Sequence, residues 1–220
     1  MDAFFLESVD GRQHVEQFGI LAEFGKPVFI DKPLACSAAD ARAIIDISRS
    51  KGVPIMSASS VRYAAGLRGL VAEGAEVQSC EAFCVMPMYE DYPAYFWYGV
   101  HSVDLLFAYM GKGCESVQTL HRDDVDLLVG RWAGGRLGTA RGPRFPLKGF
   151  GCTVYADGTV AHAVATMDPP PHYLMLKEVM EFFRTGQEPI DPEETCEVMA
   201  FLEAAGESLE RGGAVVPIAR

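Results

Sequence analysis

The first 60 residues alternate between strand and helix periodicity, and that alternation constrains the fold more than any other feature of the chain. AFFL (Ala3–Leu6), PVFI (Pro27–Ile30) and VPIMSA (Val53–Ala58) are short apolar runs with the character of buried strands. Between the first two, Gln13–Phe24 carries Val15, Phe18, Ile20, Leu21 and Phe24 at helical spacing. A second helix is predicted from an N-cap at Ser37 to about Ser50. Gly25 and Gly52 stand where the two helices must stop. Strands separated by helices with short connections pair in parallel, and a parallel sheet needs cover on both faces.

Beyond residue 60 the pattern changes. Arg62–Glu73 is compatible with a helix, Glu76–Met86 with a strand, and Tyr98–Met110 with a buried helix stopped by Gly111. From Ser116 to Met167 strand-like runs are separated by turn sequences, AGG and ADG among them, which predicts antiparallel meanders. RDDVD (Arg122–Asp126) reads as a solvated turn, and GPRFPLKGFG (Gly142–Gly151) as a loop. MDPPPHY interrupts the strands, and two helices follow, Tyr173–Arg184 and Glu193–Glu210. The second is preceded by Asp191-Pro192, an N-cap with proline at the first helical position. AVVPI closes the chain as a short strand.

The expected fold class is therefore α/β followed by α+β. Residues 1–60 form a partial, carboxy-terminal half of a parallel Rossmann-type sheet, and residues 61–220 an α+β domain with a large, mostly antiparallel sheet.

Composition narrows the function classes. Thirty acidic against 19 basic side chains give a net charge of -11, which works against binding nucleic acid or an anionic membrane. No apolar run reaches the roughly 18 residues that a membrane span needs. The start, MDAFFLESVDGRQ, has an acid at position 2 and no basic segment, so no signal peptide is expected. The six cysteines show neither a CxxC pair nor zinc-ligand spacing, so buried structural thiols, no metal site and a reduced cytoplasmic setting are expected.

The stretch that carries chemistry is GKPVFIDKPLA (Gly25–Ala35): a buried strand that ends by delivering Asp31, Lys32 and Pro33. Ligands of open α/β sheets bind outside the carboxyl ends of the strands, which is where this acid and this lysine would stand. Pro33 keeps both out of the following helix. In this order, GK-V-IDKP-A, a helix, a strand and the Arg62-Tyr63 pair resemble the glucose–fructose oxidoreductase/inositol dehydrogenase (Gfo/Idh/MocA) family. DAFFLESVDGRQHVEQFGILAEFGK is similar to the family's preceding strand and helix, with His14 at its usual histidine position. YGVHSVDLLFAYMG resembles its Gly-x-His-x-x-Asp helix, giving Gly99, His101 and Asp104, and PEETCEVMAFLEAAGESLERGGAVVPI its closing helix and strand.

The resemblance implies hydride transfer between NAD or NADP and a sugar, polyol or related alcohol. It implies Lys32 and His101 as catalytic residues, Lys32 orienting a substrate hydroxyl and His101 as acid/base. Arg62, Tyr98 and Asp104 would contact substrate, and His14, Asp31, Lys32 and Pro33 the cofactor. It also implies a homo-oligomer formed through the carboxy-terminal sheet. Two departures stand out. The family's GxGxxG loop, which holds the dinucleotide pyrophosphate, is absent, as though the chain begins at the family's fourth strand. The acid often found four residues before the histidine is Trp97 here. A second reading follows from the first departure: a non-catalytic remnant, or a partner-dependent substrate-binding module unable to hold a dinucleotide alone.

Overall fold

The computed structural model describes residues 2–146 and 148–219. Its first sheet contains β1 (Phe4–Leu6), β2 (Val28–Ile30) and β3 (Ile55–Met56), in that order and all parallel. The intervening helices are α1 (His14–Ala22) and α2 (Ala38–Lys51). Ser37 caps α2 by accepting from the Asp40 N–H at 3.0 Å, and Gly52 ends it in the left-handed conformation, as the sequence predicts.

One expected helix is missing. Residues Ser60–Tyr63 make a single 3-10 turn, and the chain from 64 to 76 then runs as turns and coil. Gly66, Gly69 and Gly74 all take positive φ there, which breaks a helix that apolar spacing alone would allow.

The second sheet has seven strands: β4 (Val77–Phe83), β5 (Cys114–Arg122), β6 (Val125–Trp132), β7 (Leu137–Pro143), β8 (Gly151–Ala156), β9 (Thr159–Val164) and β10 (Val216–Pro217). Their order is β10-β5-β6-β7-β4-β8-β9, antiparallel throughout except for the β4–β7 pair. Three more α-helices follow among the described residues: α3 (Gly99–Met110), α4 (Pro171–Thr185) and α5 (Pro192–Glu210). Helices α3 and α5 lie on the inner face of the large sheet. Phe107, Trp132 and Phe201 pack ring on ring at 5.3, 5.8 and 6.1 Å between them. Gly130 makes that possible, because a Cβ there would come within 2.5 Å of Trp132 and 2.6 Å of Phe201.

The RDDVD reading needs a correction. Its middle residues form the β5–β6 turn, but Asp126 is fully buried, held by His121 at 2.6 Å and Arg144 at 2.8 Å. A carboxylate can enter a core when its charge is answered in this way. The loop at 142–151, of which Leu147 lies outside the described residues, supplies that Arg144 and also brings Phe150 to the site.

Helix α4 returns the chain to the first sheet, where Met175, Val179 and Phe182 cover Phe29 and Met56. The opposite face of that sheet is covered by α1 and α2 through Phe18, Ile44 and Ile45. The carboxyl ends of β2 and β3 are thus left open towards α3. No helix among the described residues is long and apolar enough to cross a membrane.

Candidate active site

Four segments meet at the carboxyl rim of the parallel sheet: the turn after β2, the turn after β3, the start of α3 and the start of α4. The first carries Asp31 and Lys32, both half-buried, followed by a cis Lys32–Pro33 peptide. The Asp31 N–H donates to the Leu6 carbonyl at 2.9 Å, so the backbone continues the sheet to the residue before the lysine. Lys32 extends its ammonium over the face of Trp97, 5.6 Å from the ring centroid. An aromatic face therefore stands where the family often has an acid, and it attracts the lysine through its quadrupole rather than through a full charge. Tyr89 and Tyr92 hold Trp97 edge-on at 5.5 and 5.1 Å.

From α3 comes His101. Its Nδ1 lies 2.6 Å from Ser59 Oγ, and its ring meets Tyr98 at 4.9 Å and Phe150 at 5.7 Å, both edge-to-face. Burial, and then the charges of Lys32 and His172, push His101 down to about 3, so the imidazole is neutral at ordinary pH. His172, exposed in the first turn of α4, sits 3.4 Å from Ser60 Oγ.

Asp104, one turn along α3, meets the same turn after β3 from beneath. Its Oδ2 accepts from the Ser59 N–H at 3.0 Å and from Arg62 Nε at 3.2 Å. Arg62 also reaches Glu194 of α5 at 2.7 Å and the Asp104 carbonyl at 3.0 Å. Burial by itself would lower Arg62, but the two carboxylates outweigh it and hold the guanidinium charged, above its ordinary value. Burial raises Glu194, with Arg62 opposing. The triad ties the turn after β3 to both helices of the second sheet.

The structure thus gathers Asp31, Lys32, Tyr98 and His101 at one opening, with Arg62 and Asp104 immediately beneath. His14 lies apart, fully buried, with Nδ1 3.1 Å from the Leu34 carbonyl and Nε2 2.9 Å from the Ser8 carbonyl. A neutral ring can donate to one of these at a time. Pro33 is buried against Gly11, where an added Cβ would stand 3.0 Å from the proline ring, so the turns after β1 and β2 pack closely. Sequence reading missed Ser59, His172 and Phe150. The first sits in the serine-rich SASS, the second in a proline run and the third among glycines, all of which read locally as loop.

Neither a protein-family model nor a curated protein sequence matches the chain. Solved structures do. GenD2 from gentamicin A biosynthesis, in complex with NAD, superposes with a TM-score of 0.82 at 16% identity, over 100% of this chain and 79% of that one. Myo-inositol 2-dehydrogenase from Lactobacillus plantarum gives 0.81 at 14% identity, over 100% and 81%. The WlbA dehydrogenase from Bordetella pertussis, in complex with NADH and UDP-GlcNAcA, gives 0.74 at 19% identity, over 100% and 79%. The chain has the fold of the Gfo/Idh/MocA oxidoreductases. At these identities the likeness concerns the fold, so the chemistry of this Gfo/Idh/MocA-type structure has to be argued from its own rim residues.

Proposed function

We propose that the chain is an oxidoreductase that moves a hydride between NAD(P) and a sugar, polyol or related alcohol. The observation that carries this reading is the meeting of Lys32 and His101 at the carboxyl rim of the parallel strands, walled by Trp97, Tyr98 and Phe150. Relatives in fold supply the class: one is solved with NAD, another with NADH and a nucleotide sugar.

The rim residues fit the nicotinamide–ribose end of a dinucleotide. Asp31 offers a carboxylate to ribose hydroxyls, and Lys32 and Pro33 form the wall beside it. When bound, the dinucleotide supplies the acceptor or donor of hydride. Lys32 orients the substrate hydroxyl and favours alkoxide character on its oxygen. His101 is the second polar group at that oxygen, and the aromatic walls keep the site poor in water. Tyr98 lines the substrate side. Arg62 and Asp104 act beneath, fixing the turn that carries Ser59, and His14 fixes the backbone of Leu34 and Ser8. A second copy of the chain packs on the outward face of the large sheet, where Leu120, Leu137 and Val160 are exposed.

One observation favours the second reading. Among the described residues no glycine-rich turn joins a strand to a helix at this rim, so the pyrophosphate is not accounted for. Calorimetric titration of NAD(H) and NADP(H) into the purified chain separates the two. A Kd below about 100 μM, roughly −5.5 kcal/mol, that weakens in Lys32→Ala supports the enzyme. No heat from a folded chain means a module that needs a partner to complete the cofactor site. Light scattering on the same sample counts the copies.

A further inference from the structure

Ser59 is fully buried and reaches α3 with two different groups. Its N–H donates to Asp104 Oδ2 at 3.0 Å, and its Oγ lies 2.6 Å from His101 Nδ1. Asp104 and His101 are three residues apart on one helix, so a single serine is clamped across one turn of α3. The same Oγ accepts the Val61 N–H at 3.1 Å, capping the 3-10 turn Ser60–Tyr63.

We propose that Ser59 is a positioning residue for His101: its hydroxyl donates to Nδ1 and fixes the ring proton on Nε2, so the histidine meets the site as a hydrogen-bond donor. A count of protons assigns the tautomer. A neutral imidazole carries one N–H, and a serine hydroxyl donates once. If Nδ1 held the proton, Ser59 Oγ would receive two hydrogen bonds, and its own hydrogen would have no acceptor among its described contacts. A buried hydroxyl left that way is disfavoured, and donation to Nδ1 satisfies every group at once. The neutral state of the ring, set by burial and by Lys32 and His172, supports the assignment. Nε2 has no hydrogen-bond partner among the described residues, and unlike Tyr95 Oη it is not sealed from solvent.

The consequence rests on the proposed reading of the site. A neutral ring with its proton on Nε2 donates a hydrogen bond to a carbonyl oxygen and offers no site there for a hydroxyl proton. In reduction the Lys32 ammonium then gives its proton to that oxygen as hydride reaches the carbon, and in oxidation a neutral Lys32 takes it back. The test needs neither substrate nor cofactor, so it stands apart from the cofactor titration. Nitrogen-15 NMR of histidine-labelled full chain reads the tautomer of each ring. At neutral pH His101, assigned from His101→Gln, is expected as a single Nε2–H tautomer. Ser59→Ala is expected to release it into a mixture of tautomers, and Ser59→Thr, which keeps the hydroxyl, to restore it. A capping role alone would leave the tautomer unchanged. A wild-type ring protonated on Nδ1, or one indifferent to Ser59→Ala, overturns the proposal. If Ser59→Ala does not fold, the wild-type spectrum decides alone.

Discussion

Arg62 carries its charge into a nearly closed space, with 12% of its side chain exposed, and only the two carboxylates make that tolerable. Removing the cation would leave Asp104 and Glu194 facing each other without an answer. Arg62→Met, which keeps the aliphatic stem, is therefore expected to lower unfolding free energy by about 3–5 kcal/mol, read from urea denaturation. A loss below about 1 kcal/mol would mean the triad is effectively solvated. His101 makes the opposite kind of prediction, through pH. Its folded value of about 3 lies below the ordinary 6.5, so as pH falls the unfolded chain takes up the proton first. The stability from keeping the ring neutral is full above about pH 6.5 and is lost down to about pH 3, at up to ~1.4 kcal/mol per unit. Lys32 and His172 face this ring, and Asp104 lies one turn beyond. Between about pH 7 and pH 5 the wild type should lose about 2 kcal/mol more than His101→Gln. Parallel losses in the two proteins would contradict the depressed value. Lys32 and His101 were singled out in the sequence by the family resemblance of the motifs that carry them, one at a strand end and one in an apolar helix. The Glu194 partner of Arg62, 132 residues away, and the Ser59 contact were not, because pairing across the fold leaves no local trace.

At the scale of elements, the helices with strong end signals are the ones that local sequence places best. Ser37 and Gly52 bound α2, and Asp191 with Pro192 opens α5, because caps act within one turn. The stretch 62–73 fails as a helix for an equally local reason, its positive-φ glycines, which apolar spacing does not register. Strand order is different in kind. The parallel β4–β7 contact joins residues far apart in sequence, with both strands lying against α3, and no single run of residues announces it. Gly151 at the start of β8 shows how tightly that sheet is closed. A Cβ there would stand 2.4 Å from Phe83 and 2.7 Å from the Ala163 carbonyl, and the latter is backbone in the neighbouring strand. Gly151→Ala is expected to cost about 1–3 kcal/mol and to open the β8–β9 ladder first. Hydrogen exchange would show this as lost protection in 159–164 while α5 keeps its own. Uniform loss of protection would place the strain elsewhere.

At the scale of the molecule the question is whether the parallel sheet and the large sheet stand independently. Strands of three, three and two residues are too few and too short to hold a sheet by themselves. What holds them is shared with the other sheet. One continuous core runs from Leu6 and Phe18 through Leu34 and Ile44 to Leu106, Trp132 and Phe201. Ion pairs cross the same boundary: Arg42 to Glu193 at 2.7 Å, and Arg62 to Asp104 and Glu194. Helix α4, which follows β9 of the large sheet in sequence, covers the first sheet. The chain is therefore expected to unfold in urea as one cooperative unit. The two tryptophans report different places, Trp132 inside the large-sheet core and Trp97 over Lys32 at the rim, while far-UV circular dichroism follows the helices. All-or-none unfolding makes fluorescence and dichroism coincide in midpoint and slope, and Trp97→Phe should leave that agreement intact. A fluorescence transition that precedes the loss of helix, and disappears in Trp97→Phe, would mean that the rim opens before the core. The site would then belong to a less stable layer, and the contacts between the sheets would be weaker than their burial implies.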